Sequence, residues 1–457
     1  MKIEQLTVEN FKCFKREQTF DFSRLTILTG ANSSGKSSVI YAILMALQTD
    51  NFPYQLSPNG NYINLGDYKE IIYNHDEKFN FKLNIVLSTQ YEHIDFRTQW
   101  KLDKIDLLPT ISEINIIEQN GESLTEYDGH DFNNLTIQIH LKQRFETNDI
   151  EKDCIDLENI FKKYYNQDKC KFTSLDSSNI LVSNFDIVKY NKNKYSDESS
   201  EGVKPLLQNP LTRDILNSLT PRFDFVTNFL EKEHINFISA FRESPNRTYL
   251  EKNKANFKIG TQGEEYIDQI VEWDKRSNGK IKQLIKTMKE LDLIEDIKIN
   301  RLGGGRFEVL VKPINSNGFS ALSDVGSGVS AFMPIIVADL QLHESSTLFL
   351  AEPEIHLHPS IQAKFIDYII HKINTTDKNY VIETHSEYFL NRIRLAIVKN
   401  ELDKAKLSVY YLENKKEDTD VHKIEFTETG VIKNAPRNFF ETYSIDVMDI
   451  ALNAFAE

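Results

Sequence analysis

An α/β fold is predicted, with a parallel sheet built around a glycine-rich loop, an antiparallel β-lobe and a short helical insertion. Three observations predict it. The string Gly30-Ala31-Asn32-Ser33-Ser34-Gly35-Lys36-Ser37 stands between an apolar run at 25–28 and a helical segment at 38–44. In the second half, apolar runs at 347–350, 380–383 and 407–411 alternate with helical stretches, the pattern of βαβ units. Between these halves, 79–87 and 96–102 alternate apolar with polar residues, as half-buried antiparallel strands do.

Taken in order, residues 2–8 alternate as a strand, and Phe20 and Phe22 put two aromatics on one face, so a small β-lobe opens the chain. The run 25–28 then feeds the loop. In the pattern G-x-x-x-x-G-K-S the glycines let the backbone wrap a phosphate, while consecutive N–H groups and a helix N-terminus face its charge. Lys36 is placed to reach β- and γ-phosphates and the Ser37 hydroxyl to bind Mg²⁺; Gly30, Ala31, Asn32, Ser33, Ser34, Gly35 and Ser38 complete the cradle. A nucleoside triphosphate with Mg²⁺ is the expected ligand.

Beyond the first helix, 55–60 and 64–68 are turn-rich. From about 125 to 201 the chain is rich in Asn, Lys, Asp and Ser, with one strand-like run at 135–140, and reads as a variable insert. A short strand at 235–238 is followed by helical periodicity at 264–274 and 281–291, too short for a long coiled-coil arm. Around Gly303-Gly304-Gly305 the segment 297–311 reads as a hairpin, its glycines serving the turn. The expected parts are 1–75, the front of the head; 76–234, β-lobe and insert; 235–300, strand and helical arm; and 301–457, the back of the head.

A chain of 457 residues allows a large core, and its net charge of −14 means that any contact with nucleic acid or an acidic membrane needs a local basic patch. Arg242, Arg247, Lys252, Lys254 and Lys258 form a basic run that reads as a solvated loop in preference to a nucleic-acid surface. The three cysteines, Cys13, Cys154 and Cys170, lack C-x-x-C pairing and fit a reducing compartment. With an acidic residue at Glu4 and no run of 18 apolar residues, a cytoplasmic protein without a membrane span is expected.

The run 347–350 ends in Ala351-Glu352-Pro353-Glu354-Ile355-His356-Leu357-His358-Pro359, where enzymes with such a loop keep acids that act on metal and water. The run 380–383 ends in Thr384-His385-Ser386, and Gly326-Ser327-Gly328 opens a helix upstream. His356 and His358 are two residues apart, not the four of paired helical zinc ligands, and are expected to pack and hydrogen-bond. Ser323 and Ser330 could cap the helix or meet phosphate.

With its E-P-E-x-H-L-H-P string, its T-H-S and its opening Asn10-Phe11-Lys12-Cys13-Phe14 before the loop, the chain resembles soluble ATPases of the ATP-binding-cassette class. Their heads are of the structural-maintenance, recombination-repair and overcoming-lysogenization-defect types. The resemblance covers about 1–75 and 235–457, and the segment 430–441 resembles the tail of a bacterial subgroup found in phage-defence loci. It implies an ABC-type head that works as a dimer sandwiching two ATP molecules, with Ser327 and Gly328 of one subunit touching the nucleotide of the other. It implies His385 as the switch histidine at the γ-phosphate and Gln55 as the residue contacting metal and attacking water. Lys12 or Lys15 either approaches the α-phosphate or stays solvated.

The family carries two acids before the proline, whereas here the first position is Ala351. We take Glu352 as the base; the alternative draws Glu352 into the metal shell and makes Glu354 the base. The leading expectation is an ATP-hydrolysing oligomeric head that senses or regulates a separate effector, such as a nuclease, in anti-phage defence, as in Septu-type pairs. Only about 70 residues follow His385, too few for an appended nuclease domain. A nucleotide-gated scaffold with little turnover and a DNA recombination or repair ATPase are the alternatives. A transporter subunit is disfavoured by the roughly 290 residues between Lys36 and Gly326.

Overall fold

The computed structural model describes residues 2–49, 52, 56–88, 93–104, 107–118, 123–128, 136–139, 143–146, 171–176, 179–183, 185–188, 234–252, 258–276, 279–416, 418–436 and 439. The chain divides into two units: residues 1, 3–20 and 41–231, and residues 2, 21–40 and 232–457.

In the second unit, unbroken apolar runs form parallel strands covered on both faces, which is why they do not alternate. Five of them lie in the spatial order Ile235–Ile238, Thr347–Ala351 (the acid strand), Asn379–Glu383 (the middle strand), Leu25–Gly30 (the loop strand) and Leu407–Asn414 (the outer strand). Thr419–Phe426 pairs antiparallel with the outer strand, and Ile432–Lys433 with Thr419–Phe426. Every residue of the acid and middle strands is buried. Their register sets Ala351 beside Glu383, and Glu383 beside Leu28. The middle strand therefore separates the acid strand from the loop strand.

Each parallel connection passes through a helix. Pro359–Thr375 starts at His358, whose ring accepts from the Ser360 N–H, with Pro359 filling the first turn. Glu387–Val398 starts at Ser386, whose hydroxyl accepts from the Phe389 N–H. The two helices pack against each other, and Ser327–Gln341 packs on Ile235–Ile238 and the acid strand. Ile27, Ile336, Leu348, Leu350, Phe365, Ile382 and Phe389 belong to the shared core. The insertion is a helix pair, Tyr266–Arg276 and Lys280–Glu290, and a hairpin, Ile294–Arg301 with Arg306–Pro313. Gly304 and Gly305 take positive φ in its turn.

The first unit is an antiparallel sheet. Phe81–Ser88 alternates strictly between buried and half-exposed residues and pairs with His93–Leu102, which pairs in turn with Pro109–Glu118. Ser123–Asp128, Thr136–Ile139 and Phe185–Val188 continue it on one side, Lys2–Glu9 and Gln18–Asp21 on the other. Phe11, Phe14, Phe20, Tyr68, Phe81 and Trp100 fill its core. The polar stretch at 125–201 differs from expectation: beyond the one strand foreseen, Gln143–Glu146, Lys171–Asp176 and Asn179–Ser183 form a separate three-stranded sheet. Asn179–Ser183 contains the apolar run Ile180-Leu181-Val182, a strand signal that the polar composition around it hides. Cys13 is half-buried, and Cys154 and Cys170 lie outside the described residues.

Candidate functional site

The loop strand ends at Gly30 with φ +138°, against the outer strand: a Cβ there would stand 2.1 Å from the Leu412 carbonyl oxygen. Only glycine fits this approach. Ser33 and Gly35 also take positive φ, and the chain enters the helix Lys36–Leu47 directly. The Asn414 amide, from the end of the outer strand, donates to the Ser33 carbonyl at 3.0 Å and braces the loop. Ala31, Asn32 and Ser33 are exposed, Ser34 and Lys36 buried, Ser37 and Ser38 half-buried.

Lys36 Nζ folds back onto its own loop, donating to the carbonyls of Ala31 at 2.8 Å and Gly30 at 3.3 Å. Burial lowers its pKa against the attraction of Glu383, Glu352 and Glu354. The Ser34 hydroxyl is buried with no partner, a donor that a phosphate oxygen could satisfy. The Ser37 hydroxyl donates to Glu383 Oε1 at 2.7 Å.

Opposite the loop, the acid strand turns sharply after Ala351. Glu352 takes φ +44°, a left-handed conformation costly for a side chain of its kind. Two contacts hold it. Its N–H donates to the Glu383 carbonyl at 2.8 Å, and Arg242 Nη2 donates to the carbonyls of both Ala351 and Glu352 at 3.0 Å. Arg242 is thus a clamp within the site, correcting its reading as a solvated loop residue; burial pushes its pKa down to about 10.

The Glu352 carboxylate and the His385 Nε2 are each about one-third exposed and lie 3.8 Å apart. Burial and Lys36 push the His385 pKa down, opposed by Glu352, so the ring is neutral at pH 7. Glu354 is turned inward. Its Oε1 accepts from the Thr384 hydroxyl at 2.6 Å and the His385 N–H at 2.7 Å, and its Oε2 is buried without a partner. Desolvation raises the Glu354 and Glu383 pKa values. A cleft of about 470 Å³ opens beside these groups, lined by Glu354, Gln362, His385, Ser386, Tyr388 and Asn391.

Of the residues expected from sequence, the loop residues 30–38, Glu352, Glu354 and His385 share this unit and converge through the contacts above. Gln55 and Lys254 lie outside the described residues. Ser327 is exposed at the start of Ser327–Gln341, a helix capped by Gly326 with no side-chain bond. A Cβ on Gly328 would stand 2.8 Å from the His356 carbonyl, so close packing already accounts for that glycine. Ser323 and Ser330 do not cap the helix. Their hydroxyls donate to Asp324 Oδ1 and to the Ser327 carbonyl.

The remaining basic run has internal partners: Arg247 pairs with Asp324, Lys252 with Asp268 and Glu265, and Lys258 donates to the Ile235 carbonyl. In the β-lobe, Lys12 donates to the Glu70 carbonyl and Lys15 lies over the Tyr73 ring. Sequence reasoning missed Arg242 and Glu383 as members of the site. An acid at the end of an apolar strand was a visible signal for Glu383; the strand order that brings it to Ser37 was not.

A hydroxyl, a buried carboxylate and the oxygens of a phosphate make the hard-donor set that Mg²⁺ prefers. Among the described residues no group of three or more His, Cys, Asp or Glu side chains could hold a metal alone, so a metal here would be held jointly with nucleotide. No helix among the described residues is long and apolar enough to cross a membrane.

A family model described as AAA ATPase domain matches residues 1–390. No curated protein matches the chain significantly. Among solved structures, the SMC head domain from Thermotoga maritima is 12% identical with a TM-score of 0.38, the match covering 93% of this chain and 100% of that one. An SMC head bound to the C-terminal winged-helix domain of ScpA is 10% identical with a TM-score of 0.40, covering 93% and 98%. The SMC head with an extended coiled coil, bound to a ScpA C-terminal domain from Pyrococcus furiosus, is 11% identical with a TM-score of 0.39, covering 98% and 99%.

Proposed function

Because the chain belongs to the AAA ATPase domain family, we propose that it binds ATP at residues 30–38 and hydrolyses it in an ABC-type head that acts as an oligomer. One observation supports the reading: Lys36 of the loop and the Glu352–His385 pair, at the ends of strands of one sheet, lie close enough to interact electrostatically. Lys36, now folded onto the Ala31 carbonyl, exchanges that partner for β- and γ-phosphate oxygens. Glu352 takes a proton from the attacking water, and neutral His385 hydrogen-bonds the γ-phosphate. Ser37, together with the phosphate oxygens, would hold Mg²⁺, which would supply positive charge to offset that of the phosphates. Ser327, exposed at a helix start without a side-chain cap, touches the nucleotide of a second subunit.

In this reading the output passes to a separate effector, and the chain is the sensing or regulating partner in a bacterial defence pair. The tail around Gly430 to Glu441 motivates that assignment. Steady-state ATPase activity and fluorescent-ATP binding test the core of it. Lys36→Ala is expected to lose binding, and Glu352→Gln to keep binding while losing about 10²-fold or more of turnover. Absence of ATP binding by the wild type would sink the proposal. Intact binding with negligible wild-type turnover would favour the scaffold alternative, which rests on Ala351. Unaided DNA cleavage by the purified protein would overturn the separate effector.

A further inference from the structure

We propose that Glu383, at the end of the middle strand, is the carboxylate on the Mg²⁺ side of the site and takes the part of the acid missing at Ala351. The inference rests on the ATPase reading above and concerns which residue serves its metal.

Strand order carries it. The acid strand is separated from the loop strand by the middle strand, and Ala351, Glu383 and Leu28 are register neighbours across the three. Strands lie about 4.8 Å apart. Position 351 lies one strand further from the loop than Glu383, which stands directly beside the loop strand and already accepts from Ser37 at 2.7 Å. With that bond kept, the lone pairs of the Ser37 oxygen remain free for a cation, and the adjacent carboxylate supplies negative charge.

The other two acids contact other groups. Glu352 faces His385 at 3.8 Å. One oxygen of Glu354 is taken by Thr384 and the His385 N–H. Glu383 is only 4% exposed, and a buried carboxylate asks for a cation. Ala351 fits the same arrangement. Two carboxylates at paired positions on neighbouring strands repel, so an acid at 383 goes with a small neutral residue at 351. The substitution at Ala351 is then a displacement of the acid by one strand, not its loss.

Mn²⁺ titration followed by electron paramagnetic resonance, with a non-hydrolysable ATP analogue saturating the full chain, tests the assignment without turnover. Glu383→Gln keeps an acceptor for Ser37 and removes the charge. It is expected to lower Mn²⁺ affinity by about 10–100-fold while metal-free nucleotide binding persists. Glu383→Asp, which withdraws the charge by one methylene, gives an intermediate loss. Adding Ala351→Asp to Glu383→Gln recovers part of the affinity. Wild-type Mn²⁺ affinity in both Glu383 variants overturns the assignment alone; a wild type that binds no nucleotide overturns the ATPase reading and this inference together.

Discussion

Replacing Arg242 with methionine removes the clamp on the strained turn while leaving every residue that touches nucleotide in place. Arg242 Nη2 donates to the carbonyls of Ala351 and Glu352 at 3.0 Å each. A hydrogen bond from a charged group is worth about 1.5–3 kcal/mol, so the two together come to about 3–6 kcal/mol before relaxation. The buried guanidinium has its own cost, visible in a pKa pushed down to about 10, and methionine recovers packing. The net loss of stability is therefore expected at about 2–4 kcal/mol.

The larger effect is on geometry. Glu352 holds φ +44°, and without the clamp that strain relaxes by moving the carboxylate. Misplacement of about 1 Å costs on the order of 10²-fold in rate. ATP binding, set by the loop on the other side, stays within about threefold of wild type. Steady-state kcat beside fluorescent-ATP affinity separates the two, and Arg242→Lys, which keeps a charge without the planar fork, falls between. A kcat unchanged in a folded Arg242→Met protein would refute the clamp.

Two further outcomes are expected. Asp339 is buried between Lys378 at 3.3 Å, the Tyr380 hydroxyl at 2.7 Å and the Tyr368 hydroxyl; Asp339→Ala strands a buried ammonium and costs about 3–5 kcal/mol in chemical denaturation. Adding Lys378→Met should return much of that loss, and a double variant no better than the single would contradict the pairing. Glu354 has its pKa raised above the ordinary 4.5 by burial, so in the window above 4.5 the folded state binds the proton more readily than the unfolded state. Its burial penalty is thus present at pH 7 and fades as pH falls toward 4.5. Glu354→Gln, which keeps the acceptor for Thr384 and the His385 N–H, should raise the melting temperature of the nucleotide-free protein at pH 7 and gain little at pH 4.5; a gain independent of pH would count against the assignment.

Local chemistry was legible in the sequence. The spacing of Gly30, Gly35, Lys36 and Ser37 reads as a phosphate loop, because wrapping and donating are properties of consecutive backbone groups. The parallel strands could be read because burial on both faces removes alternation, and the hairpin at Gly304 and Gly305 because its turn needs positive φ. The sheet of Gln143–Glu146, Lys171–Asp176 and Asn179–Ser183 was missed although Ile180-Leu181-Val182 is an apolar run, because the polar residues around that run mask it. Nor was the role of Arg242, whose carbonyl partners lie more than 100 residues away.

Glu383 marks the boundary between the two kinds of information. Sequence by itself determined that one position before the proline lacks an acid and that another acid ends the next apolar strand. Only the tertiary structure decided that the second strand lies between the first and the loop, so that the Glu383 carboxylate meets Ser37. Strand order arises from the packing of helices over a sheet, a long-range balance that no local spacing encodes.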